Sequence, residues 1–172
     1  MPTVNNITRL LDSKKIPYRT FDLPADKLGA DETARLLGVE PMLVYKTIVV
    51  TRERGKPILA VIPGPHHVDL KLLAAALGEK KVNLPTEREA EQLTGLQAGG
   101  ISPLALLNKG FQVVIASESE RSAEAAQPGE DREIHVSGGQ RGLNIRLPVW
   151  ALAELTRARF AVISIRDVES PL

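Results

Sequence analysis

The sequence predicts an α/β fold of the α+β type: a mixed, largely antiparallel β-sheet with short helices around it, in one domain over residues 1–172. Three observations lead there. Strand-like apolar runs are interleaved with short helical patterns, so neither an all-helical nor an all-strand layering fits. The runs at 43–51 and 57–63 are joined by "ERGK", and those at 132–136 and 143–147 by "SGGQRG". Both connections are too short for a parallel crossover. Finally, no internal repeat or low-complexity linker divides a chain of this length.

The elements follow in order. Val4, Ile7, Leu10 and Leu11 recur at helical spacing, and Pro17 closes that helix before the candidate strand "YRTFDL". "ADETARLLG" reads as a helix of about two turns with Asp31 as N-cap and Gly38 as its end. In "LVYKTIVV", residues 43–50, strand alternation puts Val44, Lys46, Ile48 and Val50 on one face and Tyr45, Thr47 and Val49 on the other. "PILAVIP" is its hairpin partner. "VDLKLLAAALG" is a helix capped by Asp69, with Leu70, Leu73, Ala74 and Leu77 on one face. "KKVNL" is short and extended, and "TEREAEQLTG" carries the capping box Thr86/Glu89. A glycine-rich loop, "LQAGGISP", precedes the strand "FQVVIA". The polar stretch 117–131 reads as a surface helix or loop. "REIHV" and "LNIRL" form a second hairpin, "VWALAELTR" is helical after Pro148, and "RFAVISI" is a last strand.

Composition narrows the function classes. Net charge is +1, which argues against a free-standing nucleic-acid binder but leaves a weak or partner-assisted RNA contact open. There is no cysteine, which removes disulfides, thiolate zinc sites and cysteine nucleophiles together. No apolar run reaches signal-peptide or membrane-spanning length, so a cytoplasmic protein is expected.

Three places could carry chemistry. Lys46 stands in an apolar row, where it either snorkels to water or meets an anion or carbonyl in a cleft. The loop "GGISP", 99–103, places the amides of Gly99, Gly100, Ile101 and Ser102 beside a short helix with Ser102 as N-cap and Pro103 at its first position. Such amides suit a phosphate or carbonyl oxygen, although a plain capped turn explains the spacing too. Ser102 is a poor hydrolase nucleophile, because Pro103 has no N–H to give an oxyanion hole. "SGGQRG", 137–142, lacks the ending of a P-loop and reads as a hairpin turn; Arg141 is its one residue suited to phosphate. His66 and His67 are adjacent and point apart in an extended chain, so no metal site and no cofactor is expected.

Taken together, "VYKT" at 44–47, "VDLKLLAAALGEKKV" at 68–82, "TGLQAGGISPL" at 94–104 and "VSGGQRGLNI" at 136–145 resemble the YbaK/EbsC family. These are aminoacyl-tRNA editing proteins related to the editing insertion of bacterial prolyl-tRNA synthetases. The resemblance runs from about residue 5 to 165. It implies a compact mixed β-barrel or sheet with surrounding helices, and a trans-acting deacylase of mischarged tRNA(Pro), acting on Cys-tRNA(Pro) or Ala-tRNA(Pro). It implies a role for Lys46 as the catalytic lysine. Tyr45, Thr47, Gly99 through Pro103, Ser137, Gly138, Gly139, Arg141, Asn144 and Phe21 would form the substrate-binding surface.

Implied partners are the 3′ end of tRNA(Pro) and, transiently, prolyl-tRNA synthetase. Catalysis would rest on positioning, with a cysteinyl substrate's own thiol as nucleophile and a bound water for alanyl substrates. Three departures bear on which amino acid is removed. Leu28 or Gly29 stands where well-known members have a second pocket aromatic beside the position of Phe21. Gln140 replaces a common lysine, and Asn144 an aspartate of some members. A non-catalytic nucleotide- or small-molecule-binding module on the same fold is the other reading.

Overall fold

A computed structural model describes residues 3–117 and 132–168; the stretch at 118–131, expected as surface helix or loop, lies outside them. The chain opens with α1 (Asn6–Ser13), started by a reciprocal capping box in which Thr8 N donates to Asn5 Oδ1 and Asn5 N to Thr8 Oγ1. Strand β1 (Arg19–Asp22) leads to α2 (Ala30–Leu37). Gly29 is the N-cap of α2, not Asp31 as the sequence suggested. Asp31 and Glu32 lie in the first turn instead, where their charge suits the helix dipole, and Gly38 ends the helix at φ +70°.

A 3-10 turn at Pro41–Leu43 delays the start of β2, which runs Tyr45–Arg52. Its hairpin partner β3 (Ile58–Pro63) is antiparallel, with Lys46 opposite Ile62. β4 (His66–Val68) precedes α3 (Leu70–Leu77), where Asp69 Oδ1 accepts from Leu72 N as expected. β5 (Val82–Asn83), α4 (Glu87–Thr94, with its Thr86/Glu89 box) and a 3-10 turn at Pro103–Leu106 follow. Then come β6 (Gln112–Ala116), β7 (Glu133–Ser137), β8 (Leu143–Pro148), α5 (Val149–Thr156), β9 (Arg159–Ala161) and β10 (Ser164–Arg166).

The fold is the mixed, largely antiparallel α+β arrangement expected, in sheet form and without a closed barrel among the described strands. One sheet has the order β5-β2-β3-β6-β9, in which β3–β6 and β6–β9 are parallel because long crossovers separate those strands. A second, antiparallel sheet is β1-β8-β7, and β10-β4 is a third. A single parallel bridge, Val44 to His135, joins the first two sheets just before Lys46. The run "RFAVISI" is not one strand. It splits into β9 and β10 on different sheets, because Ile163 dives into the core and its carbonyl accepts from Asp69 N at 2.8 Å.

All six residues of β3 are buried, which explains its unbroken apolar run. Leu59 and Val61 face one core with Tyr45, Val49, α1, α5 and the inner side of β7 and β8. Ile58, Ala60 and Ile62 face the other, with Val50, Leu73 and Ile163. Each fully buried aliphatic side chain contributes about 1.5–3 kcal/mol. Ile62→Ala is therefore expected to lower unfolding free energy by about 2–5 kcal/mol in urea denaturation; a loss below about 1 kcal/mol would contradict this packing.

Candidate functional site

Over Lys46–Val50 the edge of β2 away from β3 carries no strand among the described residues, since β5 pairs only with Thr51 and Arg52. A cavity of about 440 Å³ lies against that edge. Its other walls are residues 23–29 with the start of α2, the approach to α4, the loop at 98–101, and the facing ends of β7 and β8. Of the residues singled out in the sequence, Tyr45, Lys46, Thr47, Gly99, Ile101, Ser137 and Asn144 line it.

Lys46 is partly buried, and its Nζ donates to the Gly64 carbonyl at 3.0 Å. That carbonyl is fixed in turn, because Gly64 N donates to Val44 O at 2.7 Å. A Cβ at Gly64 would lie 2.7 Å from that of Ala30, so only glycine lets α2 pack here. One of the three ammonium protons is used; two remain for a ligand.

The two glycine loops touch. A Cβ on Gly100 would stand 3.0 Å from Gln140 and Arg141 backbone atoms, and Arg141 Nε donates to Ala98 O at 2.7 Å. Arg141 thus braces one loop against the other. Gly138 and Gly139 sit behind the cavity, packed on Leu143 and Ile7. Ser102 is fully buried, and its Oγ accepts from Leu104 N to cap the 3-10 turn that Pro103 begins. Phe21 lies outside the wall, opposite Asn144 in the β1–β8 pairing.

Sequence reasoning passed over His135. On β7 it shares a sheet face with Ser137, and across β8 with Asn144 and Arg146. It is 3% exposed, its Nδ1 lies 2.8 Å from Asn144 Oδ1, and its ring packs tilted on Phe21 with centroids 5.4 Å apart. Burial pushes its pKa below the ordinary imidazole value, with the Asn144 hydrogen bond opposing in part. The only signal in "REIHV" was a polar residue mid-strand, and its meaning depends on a pairing partner nine residues away. In the loop at 23–29, Leu28 and Gly29, singled out by the resemblance, do line the cavity, whereas Lys27 was passed over. There Lys27 reaches Glu87 at 2.5 Å across the cavity mouth, a pair over half exposed and worth at most about 1 kcal/mol.

Asp26 and Glu87 put carboxylates on the side of the cavity toward α4, Glu87 paired with Lys27, whereas Lys46, Ser137 and Asn144 share one sense. Lys46 offers N–H protons. Ser137 Oγ accepts from Gly139 N, so its hydroxyl proton can point outward. Asn144 Oδ1 is taken by His135, and its Nδ2 has no partner among the described residues. The wall is therefore suited to a ligand rich in acceptor oxygens. Among the described residues no three His, Asp or Glu side chains stand close enough to hold a metal ion.

Burial of His135 sets a pH dependence. The unfolded ring takes up its proton below about pH 6.5 and the folded ring only at lower pH, so the unfolded chain binds more protons in between. Stability is thus full above that range and falls as pH drops through it. In thermal denaturation from about pH 7.5 to 5.5, wild type should lose more stability than His135→Phe; parallel profiles would contradict the assigned burial.

Residues 25–145 match the family model described as an aminoacyl-tRNA editing domain. The chain is 34% identical over 164 residues to an Enterococcus faecalis protein that carries the provisional name Cys-tRNA(Pro)/Cys-tRNA(Cys) deacylase EbsC, covering 94% of each. It is 33% identical over 110 residues to a proline–tRNA ligase of Desulforamulus reducens, covering 64% of this chain and 19% of the ligase. Two solved structures share the fold at low identity. One is hypothetical protein APE2540, with TM-score 0.78 and 22% identity over 94% of this chain and all of the other. The other, provisionally described as a trans-editing enzyme for prolyl-tRNA synthetase, has TM-score 0.72 and 23% identity over 95% and 99%.

Proposed function

The chain belongs to the aminoacyl-tRNA editing domain family, and we propose that it hydrolyses the ester of mischarged tRNA(Pro), with cysteinyl-tRNA(Pro) as substrate. The observation that carries this reading is the cavity wall in which Lys46, Ser137 and Asn144 all present donors beside the loop at 99–101. A terminal aminoacyl-adenosine offers the matching acceptors: the ester carbonyl, the ribose oxygens and the last phosphate.

The reaction asks little of the protein beyond placement, since the ester is already activated. Lys46 holds the phosphate or ribose. The Gly100 amide is spent on Gln97 O, so donors of the wall, Ser137 and Asn144, face the carbonyl oxygen, where negative charge grows as the carbon becomes tetrahedral. For a cysteinyl substrate the thiol sulfur attacks its own carbonyl carbon. A C–S bond forms, the bond to the ribose oxygen breaks, and the thiol proton ends on that oxygen. Water then opens the released cyclic thioester to cysteine.

The two cores share β3, which supports one domain across the chain. A net charge of +1 supports a weak grip on tRNA, with selectivity lent by prolyl-tRNA synthetase in a transient complex. The proposed place of work is the cytoplasm, where aminoacyl-tRNA is made; among the described residues no helix is long and apolar enough to cross a membrane.

The test is deacylation of Cys-tRNA(Pro), Ala-tRNA(Pro) and Pro-tRNA(Pro) by wild type, Lys46→Ala and Ser102→Ala. Expected are preference for Cys-tRNA(Pro), a loss on the order of 10²-fold in kcat/KM for Lys46→Ala, and a loss of about tenfold or less for Ser102→Ala. Preference for Ala-tRNA(Pro) would move the substrate to alanyl esters and the nucleophile to water. Hydrolysis of none, or full activity without Lys46, would overturn the assignment. Near-total loss in a folded Ser102→Ala would point to a serine nucleophile instead.

A further inference from the structure

Asn144 is an amide with a donor end and an acceptor end, and the two ends are nearly the same shape. Which end faces the cavity decides what that wall can recognise. Nothing in the cavity itself makes the choice; the choice is made behind it. His135 Nδ1 stands 2.8 Å from Asn144 Oδ1, and a hydrogen bond to a carbonyl oxygen requires the proton on Nδ1. The amide oxygen is then committed to the sheet interior, and the NH₂ end is left for the cavity.

The imidazole is itself held. It is 3% exposed, it packs on Phe21, and its backbone bridges to Val44, two residues before Lys46. The charged groups on its flank, Glu133 and Arg146, are paired with each other at 2.6 Å. One ring therefore sits where the sheet that carries Asn144 meets the strand that carries Lys46.

We propose that His135 is a positioning residue. Its Nδ1–H orients the Asn144 amide so that the NH₂ group meets an acceptor oxygen of the bound aminoacyl-adenosine. This rests on the deacylase reading for the identity of that oxygen, the ester carbonyl or a ribose oxygen, but not for the geometry. With the amide reversed, its oxygen would face the substrate oxygen and repel it.

Two measurements test it separately. The first is ¹⁵N NMR of the histidine rings in the wild-type protein, assigned with His135→Leu. The expected result is a neutral His135 protonated at Nδ1; protonation at Nε2 alone would overturn the proposal. The second compares kcat and KM for deacylation in His135→Leu, which has no donor, and His135→Asn, whose Nδ2–H lies near the position of Nδ1–H. His135→Leu should lose on the order of 10²-fold in kcat with KM changed by less than about threefold, and His135→Asn should recover most of that loss.

Equal loss in the two variants, both folded by circular dichroism, would assign His135 a packing role only and overturn the proposal. If His135→Leu does not fold, the comparison passes to His135→Asn and His135→Phe. A wild type inactive on all three aminoacyl-tRNAs would remove the deacylase reading, and the tautomer alone would then decide the geometry.

Discussion

The register of β2 on β3 is the constraint on which the rest depends. β3 is buried on both faces, so its two rows of side chains are each committed to a core, and β2 must pair with it in step. A slip of one residue would carry Lys46 to the face of Tyr45 and Val49 and leave its ammonium among buried aliphatics. Desolvating that charge without a partner costs several kcal/mol. In the observed register Lys46 reaches past the end of β3 to the Gly64 carbonyl and lines the cavity.

The opposite wall is built on the same economy. In β1-β8-β7 one face is core, with Ile134, Val136, Ile145 and Leu147, and the other is polar, with His135, Ser137 and Asn144. Gly99 and Gly100 let the loop at 98–101 close on Gln140 and Arg141, and Gly138 and Gly139 let the hairpin turn fold onto Leu143 and against Ile7 of α1, where any side chain would collide or be strained. Their work in the fold is close approach. The donors that reach the cavity are few and each is held by a second group: Lys46 by Gly64, Ser137 by the Gly139 amide, Asn144 by His135.

What the sequence made legible was local. The Thr86/Glu89 box, the Asp69 cap and the glycine helix ends depend on contacts within four residues, and the structure has them where the pattern put them. Asp31 misled because the helix begins one residue before it, at Ala30, so that Gly29 takes the cap position without a side-chain hydrogen bond. The split of "RFAVISI" and the short β4 depend on partners about a hundred residues away, which no window reveals. Lys46 stood out because its neighbours are apolar. His135 did not, because its importance lies in a cross-strand neighbour and in burial that alternation alone could not show.

Reception of a tRNA's aminoacyl end in the cavity beside β2 can be read out by titrating the ¹⁵N-labelled protein with a non-hydrolysable 3′-cysteinylamino-3′-deoxyadenosine. Amide shifts are expected to concentrate at Lys46, Gly99, Ile101, Ser137 and Asn144, with the Asn144 side-chain NH₂ among them. Saturable binding that leaves these residues unmoved and shifts another surface would contradict it.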